Sequence, residues 1–558
     1  MSKRKLIGKV SATEKNPSSC DEFQFWLSDD TILSPFDIVL VENKTDESIT
    51  YGVVLDIFHI TDSAGHISNY VSSDFGNANI DPMTKRLSLS YAKVSVVHNT
   101  KENFMPVFEG SLVYAANEHD IQIALGLENI DERTAIPAGI MKTGNNVRVP
   151  IKYSGDFLIG PEGAHLNVSG ISGLATKTSY IMFLLKAIQN KYNDDVAIIV
   201  LNVKGDDLLH IHQPNEKITE DQRKEWEDLG VPCSPFNNVK YLYPYRKQKE
   251  KLYANTALPI DDLKEQFALN QAANFVYTFE HDISKVDMLF ANIDDPNWTI
   301  ESILNYIIDG GREFKGDLNW SGFKQVLAEF CQKGSGKNNN SSILIQSWQR
   351  FKRLINNSIN DDIFVNAKSS AKEQHQVYLS DEILNINGGE MMVVDIAGLT
   401  EQLQCLVFGD LIRSVYELKH GDYEEQRRSY KNTIPKKIVI FVDELNKYAP
   451  STSSKNSPLL ANLLDITERG RSEGVILFSA EQFRSAIHDR IKGNCGTNAY
   501  GRTNAIEVSR PDYKFIPNVY ANMMTRLKKG DLIIHHPVFK TLLKIQFPFP
   551  SYNQGGSK

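Results

Sequence analysis

Short, almost uninterrupted apolar runs in the later part of the chain restrict its fold more than any other feature of the sequence. From about residue 157 onward, these runs alternate with segments of helical period, which is typical of a parallel sheet between helices. Strands that are covered on both faces are apolar at successive positions, and most of the runs have this character. We predict core strands at residues 165–168, 196–203, 391–396, 438–442 and 475–479.

The chain before this region has a different pattern. Between residues 5 and 97, apolar and polar side chains alternate through short segments such as Leu6–Val10, and turn-rich stretches separate the segments. Several short strands at this spacing favour a small all-β barrel or sandwich. Residues 205–388 are instead rich in polar and helix-forming residues, which predicts a helical insertion within the α/β domain.

A glycine-rich turn follows the strand at 165–168 and leads into a helix with an apolar face. Such a turn directs backbone N–H groups at a phosphate, and the helix N-terminus adds partial positive charge. Lys177 would reach the β- and γ-phosphates of a nucleotide, and the Thr178 hydroxyl would hold Mg²⁺. The predicted cofactor-binding residues are Gly170, Ser172, Gly173, Leu174, Ala175, Thr176, Lys177, Thr178 and Ser179.

This turn departs from the standard phosphate-binding pattern G-x-x-x-x-G-K-[ST] at two points. Thr176 stands where the second glycine is expected, and Gly170 lies one residue further from Lys177 than in the pattern. Taken alone, the motif leaves open a strand-to-helix turn that binds nothing.

A second motif favours the nucleotide interpretation. The apolar strand at 438–442 ends in Asp443 and Glu444, at the edge of a parallel sheet where α/β proteins bind ligands. Asp443 would hold Mg²⁺ through water, and Glu444 would polarise the attacking water as the catalytic carboxylate. A strand that ends in solvated acids is common, but the two motifs in this order predict an ATP site with Mg²⁺.

Three further residues complete the predicted catalytic set with Lys177 and Glu444. Gln482 follows the strand at 475–479 and is placed to sense the γ-phosphate. Arg469 and Arg471 lie at the end of the preceding helix, where a ring subunit can present an arginine to its neighbour's nucleotide. Without the surrounding motifs, both arginines would be interpreted as helix-surface ion pairs.

Two other patterns resemble sites but are rejected. Residues 334–337 read Gly-Ser-Gly-Lys, yet Asn338 stands where Ser or Thr is needed and no buried strand precedes them. The histidine pairs His210 with His212 and His535 with His536 lack acid or cysteine partners at ligand spacing.

Composition limits the class of protein. The chain has 558 residues, which favours two or three domains. Its net charge of −8 means that any grip on nucleic acid must come from a local surface. The five scattered cysteines argue against a disulfide framework or a cysteine zinc site. No apolar run reaches the roughly 18 residues that span a bilayer, so we expect a soluble, cytoplasmic protein.

These motifs together resemble the HerA/FtsK group of ring ATPases, and HerA in particular. The resemblance covers the N-terminal strands, the strand with His165, the acids Asp443 and Glu444, the arginines at 469 and 471, Gln482, and the segment 527–534 as a closing hairpin, while the glycine-rich turn itself departs from the family's form. It implies a homohexamer with a channel for double-stranded DNA, and a partner effector such as a nuclease or a sirtuin-type NADase, bound through the barrel, in bacterial antiphage defence.

The resemblance also implies a division of the chain into domains. The fold class is α/β, a RecA-like P-loop NTPase core with a helical insertion, preceded by an N-terminal all-β barrel. We expect the barrel at residues 1–105, a linker and the first part of the core at 106–204, the insertion at 205–388, the second part of the core with the hairpin at 389–550, and a disordered tail at 551–558.

Two functions from different classes follow. The first is an ATP-driven DNA translocase that works with a nuclease or another effector. The second is an ATP-responsive ring that assembles and regulates a toxic effector without productive DNA movement. A monomeric P-loop kinase is disfavoured, because a kinase has little use for a barrel or for an arginine on that helix.

Overall fold

The computed structural model describes residues 4–72, 74–77, 79, 87–171, 176–293, 295, 297–314, 316–332, 343–421, 434–452 and 457–555. The chain forms two compact units. The first consists of Met1–Tyr153 with Asn504–Gln546, and the second of Ser154–Thr503 with Phe547–Lys558.

The first unit contains a closed antiparallel barrel. Its strands, in the order β1-β2-β5-β4-β3-β6 around the barrel, are β1 Leu6–Val10, β2 Glu22–Leu27, β3 Ile38–Glu42, β4 Ile49–Thr61, β5 Ser88–Asn99 and β6 Leu112–Ala115. Alternate residues such as Phe23, Phe25, Val39 and Val41 fill the interior, which explains the period of two in the sequence.

The barrel extends beyond the predicted boundary at residue 105. Strand β6 pairs with both β1 and β3, and it therefore closes the barrel. Without β6, the backbone donors and acceptors along two strand edges would lack partners. The sequence prediction stopped early because β6 spans only four residues.

A second antiparallel sheet lies in the same unit. It consists of β7 Ile136–Lys142, β8 Arg148–Tyr153, β18 Asp531–His535 and β19 Leu543–Gln546, with β19 paired to β7. The predicted C-terminal hairpin is therefore present, but it belongs to the first unit rather than to the α/β core. Helices Glu118–Leu125 and Asn518–Met524, with the short His66–Ser72 and Ala505–Val508, complete the unit.

The second unit is built on a parallel sheet. Its strands are β9 Leu166–Ser169, β10 Val196–Asn202, β11 Val239–Pro244, β12 Ala272–Val276, β13 Gln376–Tyr378, β14 Met391–Asp395, β15 Lys437–Asp443, β16 Val475–Glu481 and β17 Thr497–Tyr500. They lie in the order β13-β12-β11-β14-β10-β15-β16-β9-β17. All five predicted core strands are present, so the predicted α/β fold with an N-terminal barrel is confirmed.

Helices cover this sheet and bury the apolar strands. The longer helices are Thr176–Tyr192, Glu220–Asp228, Ile260–Ala268, Thr299–Ile308, Trp320–Phe330, Ile345–Ser358, Glu401–His420 and Pro458–Glu473. The shorter ones are Gly155–Leu158, Phe279–Asp282, Leu379–Leu384 and Asp489–Asn494. No helix in these described ranges is both long and apolar enough to cross a membrane.

The segment at 205–388 is not wholly helical, which corrects the prediction. It contributes β11, β12 and β13 to the parallel sheet, and β11 pairs directly with β14. Strand β11 carries tyrosines whose hydroxyl groups need polar partners, and Tyr243 donates to Gln266 at 2.6 Å. A buried strand that carries polar groups, as β11 does, lacks the continuous apolar run that identified its neighbours. The sequence Gly-Ser-Gly-Lys at 334–337 lies outside the described residues.

The predicted disordered tail also differs from the structure. Tyr552 is 2% exposed, and Trp226 donates its indole N–H to the carbonyl oxygen of Phe549 at 2.8 Å. The Ser551 hydroxyl donates to the Ser234 carbonyl oxygen at 2.9 Å. The terminal segment to residue 555 is therefore packed within the second unit, because its aromatic and hydroxyl groups have partners there. Residues 556–558 lie outside the described part of the chain.

Candidate active site

The predicted site residues gather at one edge of the parallel sheet. Strands β9, β16 and β15 are neighbours, and they end at Ser169, Glu481 and Asp443 on the same edge. Because β16 lies between the other two, the turn after β9 and the acids after β15 face each other across one strand. This is the edge at which parallel α/β sheets bind ligands.

The turn that follows β9 is fixed by backbone hydrogen bonds. The Gly170 N–H donates to the Glu481 carbonyl oxygen at 3.1 Å, and the Ile171 N–H donates to the Arg502 carbonyl oxygen at 2.7 Å. A Cβ atom on Gly170 would lie 3.1 Å from that Arg502 oxygen, so a side chain is disfavoured there. The predicted residues Ser172, Gly173, Leu174 and Ala175 lie outside the described part of the chain, and their role stays a prediction.

Helix Thr176–Tyr192 begins directly after this turn, with Thr176, Lys177 and Ser179 buried. The Lys177 ammonium donates to the Gly170 carbonyl oxygen at 2.7 Å. Burial lowers the pKa of Lys177, and the negative charges of Asp443, Glu481 and Glu444 partly oppose this effect. The lysine is thus held at the helix start, facing the acids of the neighbouring strands.

The structure brings the predicted metal-binding pair together. The Thr178 hydroxyl donates to Oδ2 of Asp443 at 3.4 Å, and Asp443 is almost completely buried. The other oxygen, Oδ1, accepts the Glu444 N–H at 2.9 Å. A hydroxyl and a buried carboxylate at this spacing are the protein ligands that a P-loop site offers to Mg²⁺.

Glu444 adopts a left-handed backbone conformation, with φ 58° and ψ 46°. For a residue other than glycine this costs roughly 1 kcal/mol, so surrounding contacts must hold it. The Lys447 ammonium lies 2.5 Å from Oε2 of Glu444, and the Lys204 ammonium lies 3.2 Å from Oε1. Burial raises the pKa of Glu444, but the two ammonium groups outweigh it, and the net pKa is lowered. Glu444 is therefore an ionised carboxylate beside Asp443.

Lys204 was not identified by sequence analysis. It follows β10, the neighbour of β15, and its ammonium lies 3.1 Å from Oδ2 of Asp443. The one available signal is its place two residues after the end of an apolar core strand, at the same sheet edge as Asp443.

Glu481, the last residue of β16, was also missed. It is fully buried, and the side chain of Asn167 interacts with its carboxyl group. Burial raises the pKa of Glu481 to about 8, although the charges of Arg484 and Lys177 act in the opposite direction. The neighbouring Gln482, predicted as the γ-phosphate sensor, is half-buried at the same sheet edge.

The C-terminal segment also reaches this region. The Gln554 amide donates to the Ser179 hydroxyl at 3.2 Å, so the predicted site residue Ser179 contacts the last described turn of the chain. No motif in this segment indicates the contact, and its composition predicted a disordered tail.

The two predicted arginines lie elsewhere. Helix Pro458–Glu473 leads into the start of β16, so its last turn is at the opposite edge of the sheet from Lys177. Arg469 is exposed, with its guanidinium 3.6 Å from Asp465, and Arg471 donates to the Glu162 carbonyl oxygen at 2.7 Å. Neither arginine lies near Asp443 or Glu444 of its own chain. Their predicted action on the nucleotide of a neighbouring subunit therefore stays a proposal.

No protein-family model matches the chain, and no curated protein matches it either. Among solved structures, it is similar to the bacterial conjugative coupling protein TrwBdeltaN70, with 10% identity over 79% of this chain and 94% of that chain and a TM-score of 0.44. Plasmid coupling protein TrwB in complex with a GTP analogue shares 11% identity over 70% of this chain and 87% of its own, with a TM-score of 0.40.

A third structure is the genome packaging NTPase B204 of Sulfolobus turreted icosahedral virus 2, in complex with AMP. It shares 15% identity over 31% of this chain and 73% of its own length, with a TM-score of 0.22. Likenesses at this level do not carry an argument about activity.

Proposed function

We propose that this chain is an ATPase of the HerA/FtsK type, which hydrolyses ATP with Mg²⁺ as one subunit of a ring. The observation that supports the proposal best is the contact between the Thr178 hydroxyl and Asp443 Oδ2, beside Lys177 and Glu444. A phosphate-side lysine, a metal pair and a carboxylate base then lie at one edge of one sheet.

The residues present fit ATP and Mg²⁺. Two carboxylates, one of them buried, already attract cations, since both Lys204 and Lys447 contact them. Bound Mg²⁺ would neutralise charge on the phosphates during transfer. In this proposal Thr178 and Asp443 hold the metal, Lys177 binds the β- and γ-phosphates, and Glu444 accepts a proton from the attacking water.

The ring is proposed from the two arginines. Arg469 and Arg471 are exposed at the sheet edge away from Lys177 and Asp443, so they cannot complete the site of their own chain. In a homohexamer, the same residues can be presented to the nucleotide of an adjoining subunit, where an arginine stabilises the developing negative charge. Gln482 then senses the γ-phosphate within the subunit.

The proposal is tested by measuring ATP hydrolysis and assembly on the purified full-length chain. Hydrolysis should require Mg²⁺, and native mass spectrometry should show hexamers whose abundance rises with ATP. Stimulation by duplex DNA would support the finer proposal of DNA translocation. A strictly monomeric chain, or one without Mg²⁺-dependent hydrolysis, would contradict the ring ATPase.

A second candidate is a ring that assembles an effector enzyme without moving DNA. The observation that favours it is an exposed apolar surface on the ends of β4 and β5, where Phe58, Ile60 and Leu89 lie outside the barrel interior. The proposed partner is an effector of antiphage defence, either a nuclease or a sirtuin-type NADase, docked on the barrel.

The two candidates differ in one measurement. Co-purified complexes of the chain with such an effector can be assayed for DNA cleavage or NAD⁺ consumption, with the wild-type chain and with Glu444→Gln. A scaffold should activate the effector even when Glu444 is replaced, provided ATP still binds. A translocase should lose DNA-dependent effector activity with the same substitution, because its work needs turnover.

A further inference from the structure

Lys204 holds a place on Asp443 that the proposed nucleotide site assigns to a metal ion. Its ammonium lies 3.1 Å from Oδ2 of Asp443, the same oxygen that accepts the Thr178 hydroxyl at 3.4 Å. The ammonium also lies 3.2 Å from Oε1 of Glu444. A single positive charge therefore bridges the two acids.

The position of Lys204 is set by the backbone. Asn202 is buried at the end of β10, and its amide donates to the Gly205 carbonyl oxygen at 2.9 Å and to Oδ1 of Asp395 at 3.0 Å. Leu201 is in register with Val442 on the adjacent β15. The turn that carries Lys204 is thus fixed beside the end of β15. A lysine on an open loop would have no such fixed position.

The Lys204 side chain is nevertheless open to solvent, whereas its partner Asp443 is not. It is 51% exposed, whereas the Asp443 side chain is 5% exposed. The charge of Lys204 also attracts Asp207, on its own loop, which offers the ammonium another acid. A cation on a flexible stem can exchange with a divalent ion, while the buried carboxylate stays in place.

We propose that Lys204 is a built-in competitor of Mg²⁺: its ammonium neutralises Asp443 and Glu444, and it must leave Asp443 before a divalent cation can bind there. The inference rests on the proposed nucleotide site. The physical reason is that an ammonium group and a divalent cation on one carboxylate oxygen repel each other, so each lowers the affinity of the other. Lys204 would thereby link metal binding to movement of its own side chain away from Asp443.

The test compares nucleotide binding with and without the metal. The probe is a fluorescent ADP, N-methylanthraniloyl-ADP, titrated against the full chain in excess Mg²⁺ and again in EDTA. The ratio of the two affinities measures the coupling between nucleotide and metal. In Lys204→Met this ratio should rise on the order of three- to tenfold, since the competing ion pair is partly exposed. Lys204→Arg, which keeps the positive charge, should stay near the wild-type ratio.

Lys436→Met is the matched control. Lys436 is also an exposed lysine in an ion pair, 2.9 Å from Asp195. It lies just before the start of β15, at the sheet edge opposite to Asp443. It should leave the ratio unchanged.

The outcomes separate the inference from the proposed function. A ratio that is unchanged or lower in Lys204→Met would overturn the competitor role. So would a rise that comes from weaker binding in EDTA, with no gain of affinity in Mg²⁺, because this would mean that the lysine binds the phosphates. A wild-type chain that binds the probe in neither buffer would overturn the nucleotide site itself, and the inference with it.

Discussion

The hydroxyl of Thr178 donates to Oδ2 of Asp443 at 3.4 Å, although 265 positions separate the two residues in the chain. The contact exists because the strands that lead to them, β9 and β15, lie on either side of β16 and end at the same sheet edge. Lys177 and Glu444 are the sequence neighbours of this pair. The contact therefore brings the buried Lys177 ammonium close enough to the Glu444 carboxylate for their charges to interact. The catalytic proposal depends on this arrangement.

Lys177→Ala should lower ATP hydrolysis by roughly a hundredfold or more, since removal of one group that stabilises developing charge has this effect in other enzymes. The cause would be the loss of the positive charge at the phosphates. The measurement is the steady-state rate of phosphate release. Lys191→Ala, at an exposed position of the same helix, should keep the wild-type rate. Equal rates for the wild type and Lys177→Ala would mean that the motif is misassigned.

Glu444→Gln should retain nucleotide and lose turnover. The substitution removes the carboxylate that accepts the proton, while the ligands of the metal, Thr178 and Asp443, are untouched. Binding of a fluorescent nucleotide should stay within a few-fold of wild type, and the hydrolysis rate should fall by about two orders of magnitude. Glu473→Gln, at the far end of helix Pro458–Glu473, is the control. A variant that hydrolyses ATP at the wild-type rate would refute the role of Glu444.

The core strands were predictable because their apolar runs are continuous. Residues 438–442, for example, lie inside β15 and are fully buried. The same signal is absent from β11, where Lys240, two tyrosines and a proline interrupt the apolar run. Its pairing with β14 establishes that it is a strand. Domain limits were missed for a similar reason, since β6 is short and is defined by the two strand edges that it pairs with.

At the site, the motifs gave Lys177, Thr178, Asp443 and Glu444, since each belongs to a recognised phosphate- or metal-binding pattern. Lys204 and Glu481 also lie at strand ends, but no such motif includes them. Lys204 reaches the site because β10 is the neighbour of β15. Glu481 reaches it because β16 lies next to β9, and the Gly170 N–H donates to the Glu481 carbonyl oxygen. Both facts depend on strand order, which one sequence does not specify.

Arg469→Ala and Arg471→Ala should strongly lower the rate of ATP hydrolysis by the ring and leave the affinity for nucleotide unchanged. Both side chains are exposed and lie at the sheet edge opposite to Lys177, so they act, in our proposal, on a neighbouring subunit. Mixing mutant with wild-type subunits should reduce activity more steeply than the mutant fraction. Arg133→Ala, which changes an exposed arginine paired with Asp131 in the first unit, should leave the activity of the mixed subunits unchanged. Proportional loss for both arginine variants would remove the support for an intersubunit role.

Glu481 should make the stability of the protein fall as the pH rises. Its folded-state pKa is raised to about 8 by burial, from an ordinary value of 4.5, with Arg484, Lys177 and Asp443 as the charged groups around it. The folded chain therefore holds this proton more tightly than the unfolded chain, so stability is full below pH 4.5 and is lost as the pH rises towards 8.

Glu481→Gln removes this titration with little change in shape. Relative to wild type, it should be more stabilised at pH 8.5 than at pH 6, by about 2 kcal/mol. Chemical denaturation at the two pH values measures the difference. Glu220→Gln is the control, because that side chain is 94% exposed, and it should show no such pH-dependent gain. An equal effect of Glu481→Gln at both pH values would mean that the carboxyl group is ionised throughout.

Tyr552→Ala should destabilise the second unit, because the segment before the C-terminus is packed rather than disordered. The Tyr552 ring is 2% exposed and lies 5.7 Å from the Phe236 ring, and its neighbours Ser551 and Asn553 are hydrogen-bonded to residues 213–234. Loss of a buried aromatic side chain leaves a cavity and costs about 3 kcal/mol. Thermal and denaturant unfolding measure the change, and Phe104→Ala, at a position 80% exposed, is the matched aromatic control. The same segment carries Gln554 to Ser179, so the variant should also weaken nucleotide binding modestly. If Tyr552→Ala were as stable as Phe104→Ala, the packing of this segment would be contradicted.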